Sequence, residues 1–145
     1  MALEPPPPPP VSRNSEPNDA LAADATRLRI LVVDDDEDLA HLLAKVLVTR
    51  NYEVRTARDS VSALRVAAEF TPDVALMDIG LPMMDGYELA REIRKILPEG
   101  TCRLIALTGF SEEGEKEKAR AAGFEAHLLK PVNLATLRKA IESGI

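Results

Sequence analysis

The sequence predicts an α/β fold of three layers, a five-stranded parallel sheet with helices on both faces. Three observations predict it. Short unbroken apolar runs, of which Val74–Met77 is the clearest, have the length and continuity of strands covered on both sides. Each run is followed by a segment of helical periodicity, and strands alternating with helices through right-handed crossovers build a parallel sheet between helical layers. The chain has 145 residues, 46% hydrophobic and 29% charged, an ordinary globular balance sufficient for one core.

Residues 1–27 stand apart. Pro5 to Pro10 form an unbroken proline run followed by Ser, Asn, Asp and Ala, a composition that favours polyproline II or disorder. This stretch reads as a disordered tail or linker, with a docking peptide for a proline-binding module as the alternative. The folded domain is expected over residues 28–145.

Ile30–Val33 reads as the first strand and ends in the acidic run Asp34 to Asp38. Leu39, Leu42, Leu43, Val46 and Leu47 then recur at helical spacing, with the acids complementing the dipole at the helix start. Tyr52–Ala57 is the second strand, and Asp59 or Ser60 caps a helix carrying Val61, Leu64, Ala67 and Ala68. Pro72 closes that helix. The third strand ends on Asp78, followed at once by the turn residues Gly80 and Pro82. Asp85-Gly86 is a turn signal before the helix of Leu89, Ala90, Ile93, Ile96 and Leu97, which Pro98 and Gly100 terminate. Arg103–Leu107 is the fourth strand, ending at Thr108-Gly109. Ser111–Ala122 is helical but nearly devoid of large apolar residues, so it is expected to be weakly held to the core. Phe124–Leu129 is the fifth strand, ending at Lys130-Pro131, and Asn133 caps a last helix that buries Leu134, Leu137 and Ile141.

Composition excludes several function classes. A net charge of -6 argues against non-specific binding to nucleic acid or an acidic membrane, and 3% aromatics with no Trp against a stacking platform for single strands. Cys102 is the only cysteine, which rules out an intrachain disulfide and fits a reducing compartment. No apolar run approaches 18 residues, and the N-terminus lacks the basic and apolar regions of a signal peptide, so a cytoplasmic protein is expected.

The chemically active residues gather at strand ends: Asp34 and Asp35, Asp78, Thr108 and Lys130. With strand order 2-1-3-4-5, the reversal between strands one and three opens a crevice beside Asp35 and Asp78. Carboxylates crowded there repel one another and need a cation, and an oxygen-only set selects a hard ion such as Mg²⁺. Lys130 opposite them, with a hydroxyl nearby, completes a site for a phosphoryl group.

In these pieces the sequence resembles the receiver domain of two-component response regulators. They are Val32-Val33-Asp34-Asp35, Met77-Asp78-Ile79-Gly80-Leu81-Pro82 with Asp85-Gly86, Leu107-Thr108-Gly109 and Leu129-Lys130-Pro131. The spacings from Asp35 to Asp78, Thr108 and Lys130 in turn are 43, 30 and 22 residues. The resemblance implies a flavodoxin-like (βα)5 sandwich, with residues 28–145 as the receiver domain. It implies a role in a phosphorelay, in which Asp78 takes a phosphoryl group from the phosphohistidine of a histidine kinase or histidine phosphotransfer protein. Mg²⁺ would be held by Asp35, Asp78 and the backbone carbonyl of Gly80, with Asp34 acting mainly through water. Lys130 would pair with the phosphoryl oxygens, and Thr108 would report phosphorylation by hydrogen-bonding to them. Pro131 would follow a cis peptide. The module would be a signalling switch that assists its own phosphorylation and dephosphorylation rather than an enzyme, with no DNA or membrane partner and no output domain expected.

One position departs from the family. Three residues before the lysine the family usually carries Tyr or Phe, and here His127 stands, smaller and more polar. Gly109-Phe110 and Ala126-His127-Leu128 resemble the receivers of hybrid kinases. Two rival readings are a phosphohydrolase using Asp78 transiently and an interaction-only pseudo-receiver. The first lacks a second acid two residues after Asp78, where Gly80 stands, and the second does not explain why the whole Asp, Thr and Lys set is present. Asp36 is left out of the site. His41 reads as an exposed helix histidine, Met83 and Met84 as loop residues, and Cys102 as an inert thiol.

Overall fold

Five strands, β1 (Arg29–Val33), β2 (Glu53–Ala57), β3 (Val74–Asp78), β4 (Arg103–Thr108) and β5 (Ala126–Leu129), form one parallel sheet in the order β2-β1-β3-β4-β5. This is the flavodoxin-like arrangement expected from the sequence. The structure, a computed structural model, describes residues 27–81, 84–97, 100–109 and 113–142. The proline-rich tail, Met83 and Phe110 lie outside the described residues.

The apolar runs are continuous because both faces of every central strand are covered. Leu31, Val33, Ala75, Met77, Leu104 and Ala106 point into one core. It is closed by α2 (Ser60–Phe70), α3 (Gly86–Ile96) and α4 (Glu113–Ala122). Their sequence neighbours Ile30, Val32, Val74, Leu76, Ile105 and Leu107 point into the other core, beneath α1 (Glu37–Thr49) and α5 (Leu134–Glu142). Alternation along a strand sends successive side chains to opposite faces, so a strand buried on both must be apolar throughout. No described helix is long and apolar enough to cross a membrane.

Aspartates start three of the helices. The side chains of Asp36, Asp59 and Asp85 accept the N–H groups of Leu39, Ser62 and Glu88 at 3.2, 2.8 and 2.9 Å, satisfying donors that have no partner within the helix. Asn133 does the same for α5 through the N–H of Thr136. Asp85 is thus a cap rather than a turn residue, and α3 begins immediately at Gly86. The fifth strand begins at Ala126, two residues later than expected, because Phe124 is spent on the core in the turn after α4. Met84 is also more than a loop residue, since it packs against the core.

One half-buried side chain ties α3 to its neighbours. The Arg94 guanidinium donates to the carbonyls of Cys102 at 2.6 Å and Gly123 at 3.1 Å, reaching the start of β4 and the α4–β5 turn. Gly123 has φ +110° and lies against the Arg94 stem, so a side chain there would be both strained and crowded. Cys102 itself is buried, and that burial pushes its thiol up to about 12, which leaves it protonated and inert as expected.

Helix α4 is held least. Its described buried side chains are Ala119 and Ala122, whereas α1 buries Ala40, Leu43 and Leu47 and α3 buries Leu89, Ala90 and Ile93. Alanine removes far less apolar area from water than leucine or isoleucine, so local opening of α4 costs less. In native-state hydrogen exchange, α4 amides are expected to exchange faster than those of α1 and α3. Equal protection in all three would contradict this.

Candidate functional site

Asp34 follows β1 directly, and its N–H donates to the carbonyl of Ala57 at 3.0 Å, so the backbone is still tied to the sheet when the acidic run begins. Its side chain is fully buried. One carboxylate oxygen accepts the N–H of Asp36 at 2.9 Å and the other accepts Lys130 Nζ at 3.0 Å. Asp78 is the last residue of β3, its side chain largely buried but still reachable. One oxygen accepts the N–H of Gly80 at 3.0 Å, and the other lies 3.3 Å from Lys130 Nζ. A single ammonium therefore bridges two carboxylates that come from neighbouring strands.

Lys130 leaves β5 with its own N–H donating to the carbonyl of Thr108 at 2.8 Å, and the following Lys130–Pro131 peptide is cis, as the resemblance implied. Thr108 ends β4 and is buried. Asp35 is exposed, and one oxygen from each of Asp34, Asp35 and Asp78 falls within 4.8 Å of the others. The structure thus brings together Asp34, Asp35, Asp78 and Lys130, with Gly80 giving its N–H to Asp78 and Thr108 joined to Lys130 through the backbone. His127 pairs with Ala106 in the β4–β5 ladder and is half-buried.

The electrostatics show why these groups need one another. Burial pushes the Asp34 carboxyl above its usual range, and this outweighs the Asp36 N–H and the Lys130 ammonium, which favour the charged form. Burial would push Lys130 down, but the hydrogen bond and charge of Asp34 and the charge of Asp78 outweigh it, and the ammonium is held above its usual range. Three carboxylates against one ammonium leave a charge deficit of two. All three offer oxygen and no softer donor, a set that fits a hard divalent cation.

Two contributors were hidden in the sequence. Asp36, set aside there, caps α1 with its side chain while its N–H holds Asp34. Gly86 lets the β3–α3 loop fold back behind Asp78, donating its N–H to the carbonyl of Ile79 at 2.8 Å. A Cβ at Gly86 would fall 2.6 Å from Ile79 Cα and 2.9 Å from the Asp78 carbonyl oxygen, both backbone atoms. The Asp-Gly pair was visible, but only the close approach shows that the glycine is there for room rather than for a turn.

The acidic, lysine-bridged crevice lies at the carboxyl ends of the strands of a doubly wound sheet, at the switch point where such folds bind ligands. The chain belongs to the response regulator receiver domain family, whose family model matches residues 30–142. It is similar to the sensor histidine kinase RcsC of Escherichia coli (strain K12), 34% identical over 123 residues, covering 85% of this chain and 13% of the kinase. Chemotaxis protein CheY4 of Vibrio cholerae superposes with a TM-score of 0.78 at 28% identity, covering 83% of this chain and 100% of that one. A response regulator from Burkholderia pseudomallei with a phosphorylated aspartic acid and a calcium ion superposes with a TM-score of 0.74 at 28% identity, covering 81% of this chain and 68% of that one. The chain is therefore a receiver domain of two-component phosphorelay signalling, and the family works with histidine kinases.

Gly86→Ala is expected to destabilise the fold by about 1–3 kcal/mol, because backbone must shift to admit the methyl group. Urea denaturation measures this, and a midpoint unchanged from the parent would show that the loop gives way without cost.

Proposed function

We propose that Asp78 is the phosphoryl acceptor of this receiver domain, and that Asp35, Asp78 and the Gly80 carbonyl hold Mg²⁺, with Asp34 acting mainly through water. The observation that carries this reading is the Lys130 ammonium, placed between Asp34 and Asp78 at 3.0 and 3.3 Å. Asp34 is sealed from solvent and cannot meet a donor, while Asp35 has no lysine at its side among the described residues. Asp78 alone combines access with a cation.

In the reaction a carboxylate oxygen of Asp78 attacks the phosphorus of a phosphohistidine. An O–P bond forms, the N–P bond breaks, and the imidazole leaves with its electron pair and takes a proton. Lys130 then exchanges its contact with Asp78 for the phosphoryl oxygens, and the Thr108 hydroxyl turns to them. Bound magnesium supplies the positive charge that offsets the charge on those oxygens. The donor is a histidine kinase or a histidine phosphotransfer protein, and the module acts as a switch with no DNA contact of its own.

Incubation with a small acyl phosphate and Mg²⁺ is expected to add one phosphoryl group, and Asp78→Asn to abolish it. Full labelling of that variant would sink the assignment.

A divalent ion that binds only the native state stabilises it by about 1.4 kcal/mol at ten times its dissociation constant. Mg²⁺ is therefore expected to raise the thermal midpoint of the parent and not that of Asp35→Ala, which should stay folded and lose labelling. An equal rise in both would refute the ligand set.

The aspartyl phosphate is expected to decay slowly, because hydrolysis needs a water held in line and Gly80 offers no side chain to hold it. A Cβ at Gly80 would lie 3.8 Å from Asp78 Oδ1, so a longer polar side chain can reach over the carboxylate. Phe110, the other position on which this expectation rests, lies outside the described residues. Gly80→Asn should lose phosphate several-fold faster than the parent. Matching decay curves would show that water positioning is not the limiting step.

A further inference from the structure

A second concave site lies on the other side of Asp34, at the β2 edge of the sheet between α1 and α2. Its volume is about 200 Å³. That is room for several waters at roughly 30 Å³ each, but below the roughly 300 Å³ at which drug-sized pockets begin. Ala57 and Val66 supply apolar wall, while Arg58, Arg65 and His41 line it together with Asp34 and Glu37.

The charges in this cavity are unequally engaged. Asp34 is occupied by Lys130 and the Asp36 N–H, and Glu37 by an ion pair with Arg58. Asp59, close by, is used as the cap of α2. Ser62 donates both its N–H and its hydroxyl to it, which holds the carboxyl below its usual range with smaller help from Arg58 and Arg65. Among the described residues Arg65 makes no ion pair or hydrogen bond, so its planar fork of donors faces the cavity unspent. Such a fork matches carboxylate or phosphate oxygens bidentately, which an ammonium cannot do.

We propose that this cavity is a binding site for a small oxyanion, a phosphate- or carboxylate-bearing molecule whose charged end meets Arg65 while its body rests on Ala57 and Val66. The site shares the Asp34 wall with the acidic crevice but uses none of its ligands to contact the anion, so it does not depend on Asp78 being phosphorylated.

The test is a titration of the ¹⁵N-labelled full chain with inorganic phosphate and, separately, with propionate, at constant ionic strength against chloride. A chelator keeps divalent ions out, so that phosphate cannot enter the acidic crevice on a metal. Saturable shifts of the Ala57, Arg58 and Val66 amides are expected with at least one of the two anions. A response to phosphate alone or propionate alone identifies which oxyanion the site takes. Arg65→Gln should weaken that binding at least tenfold, while Arg91→Gln, an exposed arginine on α3, should not. Unmoved cavity amides with both anions, shifts confined to Gly80 and Lys130, or equal affinity in Arg65→Gln would each overturn the proposal. Asp78→Asn should bind the anion as the parent does, and Arg65→Gln should still be labelled at Asp78, so this site and the phosphoryl-acceptor reading fail separately.

Discussion

The architecture of the site follows from one electrostatic constraint: a carboxylate with no access to water, Asp34, stands beside Asp78 with a single ammonium between them. A buried carboxylate without a partner is strongly unfavourable, and a second one nearby makes it more so. The fold meets this from three strands. Strand order sets β1 beside β3, so their ends deliver Asp34 and Asp78 to one crevice, and β5 brings Lys130 across with its backbone anchored on Thr108 of β4. The compensation is incomplete. Lys130 cancels one charge of three, and what remains is an unmet demand for positive charge that a divalent cation can satisfy.

The frame around this crevice is uneven in stiffness. Each central strand is packed on both faces, which makes the Asp34 and Asp78 positions rigid and suits a site that must be preorganised. The edge carrying Thr108, His127 and Lys130 lies nearest α4, the helix with the smallest apolar anchors. A side chain drawn toward a phosphoryl group at Thr108 would therefore be felt first where least holds the structure in place. His127 occupies the position at which the family usually carries Tyr or Phe, so whatever it does there is done with a smaller, more polar imidazole.

Much of this was legible in the sequence, for a physical reason. Strands covered on both faces must be continuously apolar, so Ile30–Val33, Val74–Met77 and Leu104–Leu107 announce themselves, and the polar residues that end such runs fall where ligands bind in parallel sheets. What was not legible involves the backbone. Thr108 is the last residue of its strand rather than the first after it, because ladder pairing with Leu129 continues whatever the side chain. The hold of the Asp36 N–H on Asp34 and the space that Gly86 leaves behind Asp78 are matters of backbone approach. The Arg65 cavity is of the same kind: its lining comes from α1, β2 and α2, and no local pattern in the chain marks it.

The proposed function makes the Lys130 ammonium and the Asp78 carboxylate one unit that receives a phosphoryl group. A crystal structure of the protein with Mg²⁺ and beryllofluoride, a stable mimic of the aspartyl phosphate, tests it most directly. The beryllium is expected on an oxygen of Asp78, with Lys130 Nζ moved off that carboxylate and onto a fluorine, and the metal against Asp35, Asp78 and the Gly80 carbonyl. An adduct on Asp35, or Lys130 still bridging Asp34 and Asp78 with the mimic in place, would contradict it.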